Sequence, residues 1–218
     1  MGNRFFLCLV SLISYGACGR CDEDMYGDHL ELVIPMTTYP SQDTFHIGDT
    51  LWVEFSFDKN VALFNSDKTI RLDSFNFFSK FYIAEISDTI ADYDVYMDTF
   101  IVKGKLEYLP LTYLTLYPIT YAETADQYQF KMGVVINEPG LYYIGMDTNP
   151  DLYEFYNHPA LFTCEDNKRN RVDIYYQNSS TSQSSFDNIF KQTNVEYLRD
   201  LVGYEDYSRG GGIAIIVL

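Results

Sequence analysis

Hydrophobic and polar residues alternate with a period of two at several places along this 218-residue chain, which is the pattern of strands with one face turned to a core. The strongest instance follows the turn Ile47-Gly48-Asp49. Leu51, Val53, Phe55 and Phe57 fall on one side, and Trp52, Glu54 and Ser56 on the other. Phe81-Ile83-Glu85, Val95 to Val102 ahead of a Lys103-Gly104 turn, and Tyr113-Thr115-Tyr117 repeat the pattern. Tyr128, Phe130, Met132, Val134 and Ile136 alternate up to Asn137-Glu138-Pro139-Gly140, and Leu141 to Met146 runs on from there. The Pro-Gly turn chemistry predicts a hairpin between these two runs. An apolar run from Leu30 to Ile34, halted by Pro35, and another from Val172 to Tyr176 bring the strand count to at least six.

Between and after these runs the texture changes. Residues 147 to 170 read as a long polar loop, and Asn178 to Ser185 as a Ser/Thr-rich linker that also spells the glycosylation pattern Asn178-Ser179-Ser180. Phe186, Ile189 and Phe190, then Val195, Leu198, Leu201 and Val202, sit at helical spacing, with Asn194 placed to cap the second group and Gly203 to stop it. Gly210 to Gly212 then releases Ile213 to Leu218, whose unbroken apolarity predicts a strand buried on both faces or beneath those helices. Twenty Tyr and 16 Phe against one Trp and six Met favour strands over helices. The predicted class is mainly β: an immunoglobulin-like sandwich over residues 29–218, with one or two short helices at about 185–203 before a final buried strand.

Glu138-Pro139-Gly140-Leu141-Tyr142 resembles the tyrosine corner of such sandwiches, in which a Tyr hydroxyl bonds back to nearby backbone. Glu138 stands where the motif has Asp, and Ile144 where antibody domains have a cysteine. The segment therefore supports a generic sandwich, with a plain hairpin and a core Tyr142 as the other reading.

The N-terminus adds a destination. Arg4, an apolar run from Phe5 to Ile13 and the small residues Gly16 and Ala17 have the layout of a signal peptide over residues 1–17, and the apolar run is too short for a membrane-spanning helix. Two processing sites compete. Ala17-Cys18-Gly19 fits cleavage before Arg20, whereas Gly16-Ala17-Cys18 approaches a lipoprotein box in which Cys18 becomes the acylated first residue, with Tyr15 where an aliphatic residue is usual. Residues 18–28, with Asp22-Glu23-Asp24, read as an acidic tether.

Cys8 leaves with the signal, so Cys21 and Cys164 remain as a candidate disulfide, a bond that export permits. Cys18-Gly19-Arg20-Cys21 has redox or half-zinc spacing, but lacks the strand-to-helix setting or the second ligand pair those uses need.

Net charge is −16, from 15 Lys and Arg against 31 Asp and Glu, with no basic run, so phosphate backbones are repelled and nucleic acid is not an expected partner. His29, His46 and His158 each stand alone, and no hydrolase, zinc, P-loop or dinucleotide motif occurs. Asp147-Thr148-Asn149-Pro150-Asp151 copies the opening of a calcium loop through Asp147, Asn149 and Asp151, but Leu152 and His158 fall where that loop needs Gly and Glu. Asp88, Asp92, Asp94 and Asp98 form a second acidic group, and Leu152 to Tyr156 a Tyr-rich one. No cofactor is expected, calcium being the one metal these residues suggest.

The near-lipobox at Cys18, the acidic residues behind it, the aromatic β-rich body and the Gly48-Asp49-Thr50-Leu51-Trp52-Val53 strand entry together resemble exported lipoproteins of Bacteroidota-type bacteria. That resemblance covers the whole chain in style. It implies display at the outer membrane or cell surface and transfers no catalytic residues. The leading expectation is an exported, surface-displayed binding or structural module acting on a protein or glycan, held to the membrane if Cys18 is lipidated and otherwise periplasmic or secreted. The competing classes are a secreted hydrolase using paired carboxylates and a calcium-dependent adhesion domain.

Overall fold

The computed structural model describes residues 26–85, 97–110, 115–148, 169–181, 186–187 and 208–218. They form two sheets whose inner faces share one core, so the predicted mainly-β sandwich is what the chain builds. The first sheet holds β1 (Tyr26–Tyr39), β3 (Thr50–Asp58), β4 (Asn60–Leu63), β5 (Thr69–Arg71), β7 (Met97–Lys103), β11 (Ala122–Glu123), β12 (Gln127–Ile136) and β14 (Arg169–Asn178). The second holds β2 (Thr44–Phe45), β6 (Ser79–Glu85), β8 (Lys105–Leu106), β9 (Leu109–Pro110), β10 (Thr115–Thr120), β13 (Gly140–Thr148) and β15 (Ile213–Val217).

Alternation decides which side chains the core receives. Leu51, Val53, Phe55 and Phe57 of β3 and Tyr128, Phe130, Met132, Val134 and Ile136 of β12 are all buried, facing Phe81, Ile83, Ile144, Met146 and Ile215 of the second sheet. Truncating a ring such as Phe81 to Ala would cost about 3–5 kcal/mol through lost burial and the cavity left behind. β15 is buried along nearly its whole length, as its unbroken apolarity predicted.

Three expectations change. β12 and β13 are not a hairpin, because β12 pairs with β3, β7 and β11 while β13 pairs with β6 and β15. The Pro139-Gly140 turn instead carries the chain from one sheet to the other, since both strands have an apolar face that meets across the core. Next, β1 starts at Tyr26, inside the segment expected as a tether, and continues through Pro35. Pro35 falls between the residues that pair with β4 (Leu32, Val33) and those that pair with β3 (Met36–Tyr39), so its missing N–H breaks no bond on that side. Finally, β7 alternates in sequence like a half-buried strand but is exposed along almost its entire length, because it lies at the margin of the first sheet.

At the end of β7, Gly104 turns the chain into β8 of the other sheet at φ +82°, and a Cβ there would collide with the Phe130 ring and the Thr120 carbonyl. The helices expected at about 185–203 lie outside the described residues apart from Phe186 and Asp187.

Polar centres are also built into the interior. Ser79, fully buried, accepts hydrogen bonds from the hydroxyls of Tyr121 (3.0 Å) and Tyr176 (2.6 Å), joining the two sheets. Burial holds both phenols protonated far above their ordinary range. At one corner, Tyr128 donates to the Leu72 carbonyl (3.0 Å) and accepts from the Phe75 N–H (2.8 Å), which fastens the loop whose Leu72, Phe75 and Phe77 enter the core. Beside it the Lys59 side chain, only 7% exposed, brings its ammonium to Glu123 at 2.6 Å and Asp73 at 3.5 Å.

Candidate functional site

The residues that alternate away from the core form the most distinctive exposed chemistry. Register places Tyr39 of β1 opposite Trp52 of β3, Trp52 opposite Gly133 of β12, and Gly133 opposite Phe100 of β7. Four neighbouring strands thus contribute one row across the outer face of the first sheet. Gly133 is what lets the row close up. A Cβ there would run into the Phe100 ring, which instead lies over the bare backbone and meets Trp52 edge-on at 5.1 Å. Tyr39 stacks on the other side of Trp52 at 6.1 Å.

The adjacent row supplies charge. Lys131 lies opposite Glu54 and pairs with it at 3.3 Å, while the Tyr39 hydroxyl donates to the same carboxylate at 3.0 Å. The ammonium sits 5.4 Å from the centre of the Tyr39 ring and 5.1 Å from that of Trp52. Hydrogen bonding to Tyr39 and then Glu54 raises its pKa, so this face holds a fixed positive charge among aromatic rings. Chemically, such a surface can stack on a planar or sugar ring and donate to an acceptor beside it.

Beyond Phe100 the apolar surface continues. Phe100, Ile101 and Val102 of β7 and Tyr108 and Leu109 near β9 are five of the eight large apolar side chains that stand exposed among the described residues. A cleft of about 580 Å³ lies between β7 and the margin of the second sheet, lined by Met97, Asp98, Thr99, Leu106, Glu107, Tyr108 and Tyr117. A smaller recess of about 250 Å³ opens beside Thr38, Gln42, Asp43 and Ser180.

Several residues singled out from sequence fall elsewhere. Cys18, Cys21, Cys164, Asn149, Asp151 and His158 lie outside the described residues, as do Asp88, Asp92 and Asp94. Asp147 stands opposite Lys80 on β6, with its carboxylate 3.9 Å from that ammonium. Asp98 accepts a hydrogen bond from the Asn137 side chain at 2.9 Å. Among the described residues no three His, Cys, Asp or Glu side chains gather as a metal site. His46 lies exposed in the turn that it shares with Asp49.

The buried Tyr142 hydroxyl donates to the Glu138 carbonyl at 3.2 Å, across the passage between the sheets, which is the bond a tyrosine corner makes. Asn178, read as a glycosylation acceptor, is buried, and its amide nitrogen is bonded to the Gly211 carbonyl and Thr38. In the folded chain that nitrogen faces inward.

Sequence patterning placed Trp52 on an outward face but did not assemble the row, because Tyr39 and Phe100 join it only through register. Gly133 was the available signal, a glycine at an outward position of an otherwise well-formed strand.

No protein-family model matches the chain, and no curated protein matches it significantly. Among solved structures the chain is similar to the non-cellulosomal cohesin from the hyperthermophilic archaeon Archaeoglobus fulgidus, at 9% identity, over 67% of this chain and 86% of that one, with a TM-score of 0.24. A likeness of that size assigns neither ligand nor site.

Proposed function

We propose that the chain is an exported, non-enzymatic binding or structural module, tethered through a lipid on Cys18, that meets a protein or glycan with the outer face of its first sheet. The observation that carries the binding face is the row Tyr39–Trp52–Phe100 with Lys131 beside it. Aromatic rings of this size are costly to leave against water, and here three of them are arranged side by side around a fixed cation, not folded into the core. The cut site and the lipid remain as the signal region suggests them, supported by the sequence of residues 1–18.

Trp52 is the only tryptophan, so its emission reports on this face alone. Titration with oligosaccharides and with peptides from the native envelope should shift that emission, and Phe100→Ala should weaken the response roughly tenfold or more. Emission unmoved by every ligand class that the native envelope contains would remove the outer face from this reading. Intact-mass measurement of the membrane fraction tests the tether. A diacylated Cys18 terminus is expected, and a free Arg20 terminus would overturn it.

A further inference from the structure

We infer that β7 is a self-pairing edge, through which two copies of this chain join their first sheets about a two-fold axis. Among the described residues β7 bonds to β12 along one side only, so alternate N–H and C=O groups of its other side face outward, the usual invitation to a further strand. Its central side chains are exposed and apolar, with Phe100 42%, Ile101 37% and Val102 57% accessible.

The choice of a second copy over a foreign strand comes from register. Against β12, Asp98 stands at Val135, Thr99 at Val134, Phe100 at Gly133, Ile101 at Met132 and Lys103 at Lys131. The extra residue, Val102, is absorbed in a bulge between Ile101 and Lys103. Because of that bulge, Asp98 and Lys103 lie equally far from Phe100, on the same outer face. An antiparallel copy centred on Phe100 therefore sets Phe100 against Phe100, Thr99 against Ile101, and Asp98 against Lys103 of the second copy. Every opposed pair is on a matching side, and the charged pair has opposite signs at both ends. Without the bulge, the odd spacing between Asp98 and Lys103 would put them on opposite faces. Asp98 and Lys103 are both exposed, and their present partners, Asn137 and Gln129, are neutral.

Pairing in this way would also place two aromatic rows side by side on one continuous surface. This inference does not depend on the ligand proposed for that surface.

Sedimentation velocity on the exported chain over a dilution series tests it. The expected result is a reversible dimer. Asp98→Lys alone and Lys103→Asp alone each set like charges in opposition and should weaken it at least tenfold, while the double exchange Asp98→Lys/Lys103→Asp should restore it. Circular dichroism shows whether each variant is folded, and Ile101→Lys supplies a second disruption at the same edge. A wild-type chain that stays monomeric at all concentrations, or a dimer indifferent to both single exchanges, overturns the inference. Either result leaves the Trp52 titration to judge the ligand reading separately.

Discussion

Lys59 and Lys131 have similar company and different work. Each ammonium pairs with carboxylate and lies near an aromatic ring: Lys59 with Glu123 and Asp73 over Tyr128, Lys131 with Glu54 over Tyr39 and Trp52. Lys59 and its partners come from three separate segments, the β3–β4 bend, the loop after β5 and β11, which backbone bonds from Lys59 to Leu72 and Asp126 also draw together. Those of Lys131 are cross-strand neighbours that the ladder has already aligned. An ion pair adds most where its members would otherwise part, and least where backbone register has brought them together. The first corner is therefore structural and the second face is free to serve a ligand.

Between these two regions the largest effect should come from unfastening the buried corner. Tyr128→Phe removes the hydroxyl that serves both Leu72 and Phe75, and is expected to cost about 2–3 kcal/mol, read from urea denaturation. A loss below about 0.5 kcal/mol would mean that the loop holds itself.

Next in size is the acid limb of stability. Hydrogen bonding to Lys59 holds Glu123 below its ordinary value of 4.5, and Arg71 holds Asp73 below its ordinary 3.8. Groups lowered by folding stabilise above their ordinary values and lose that contribution as pH falls through the folded ones. Lys59, raised from 10.5 chiefly by Glu123, stabilises below that value and loses its contribution as pH rises through its folded one. Glu85 has the reverse sign of the two acids. Burial, with Glu138 adding to it, raises its carboxyl, so it destabilises the fold as pH rises from 4.5 through its folded value. Melting temperatures between pH 2 and 7 should show a shallower acid fall in Glu123→Gln, and a higher midpoint at neutral pH in Glu85→Gln. Identical profiles for Glu123→Gln and wild type would refute the clamp.

The smallest effect belongs to the outer face. Lys131→Met should leave the midpoint within about 2 °C while moving Trp52 emission, because a surface pair contributes little to folding and the indole loses its cation. A large drop in midpoint would make Lys131 structural, and the contrast with Lys59 would collapse.

Much of the fold was legible because burial imposes a period of two. The β3 and β12 patterns named their core residues directly, and β15 declared itself by having no polar face. What could not be read was which strand meets which. The β12–β13 turn has hairpin chemistry, yet turn residues do not say whether two apolar faces lie side by side or across a core. β7 carries the alternation of a half-buried strand, and only its place at a margin leaves it exposed. The Ser79–Tyr121–Tyr176 centre unites residues far apart in sequence, so no local pattern announces it. The aromatic row was half legible: Trp52 by alternation, Gly133 by exception, and Tyr39 and Phe100 not at all.

The order of strands also dictates an order of events. β1 lies beside β14 in parallel register, and β13 is held between β6 and β15, although β14 and β15 are made after nearly everything they join. Neither sheet can close until residues 169–217 have been made, so contacts that hold the earliest strand must wait for one of the latest. Through most of its synthesis the polypeptide therefore lacks the partners for a finished core, and the last fifth of the chain decides when both layers can be completed.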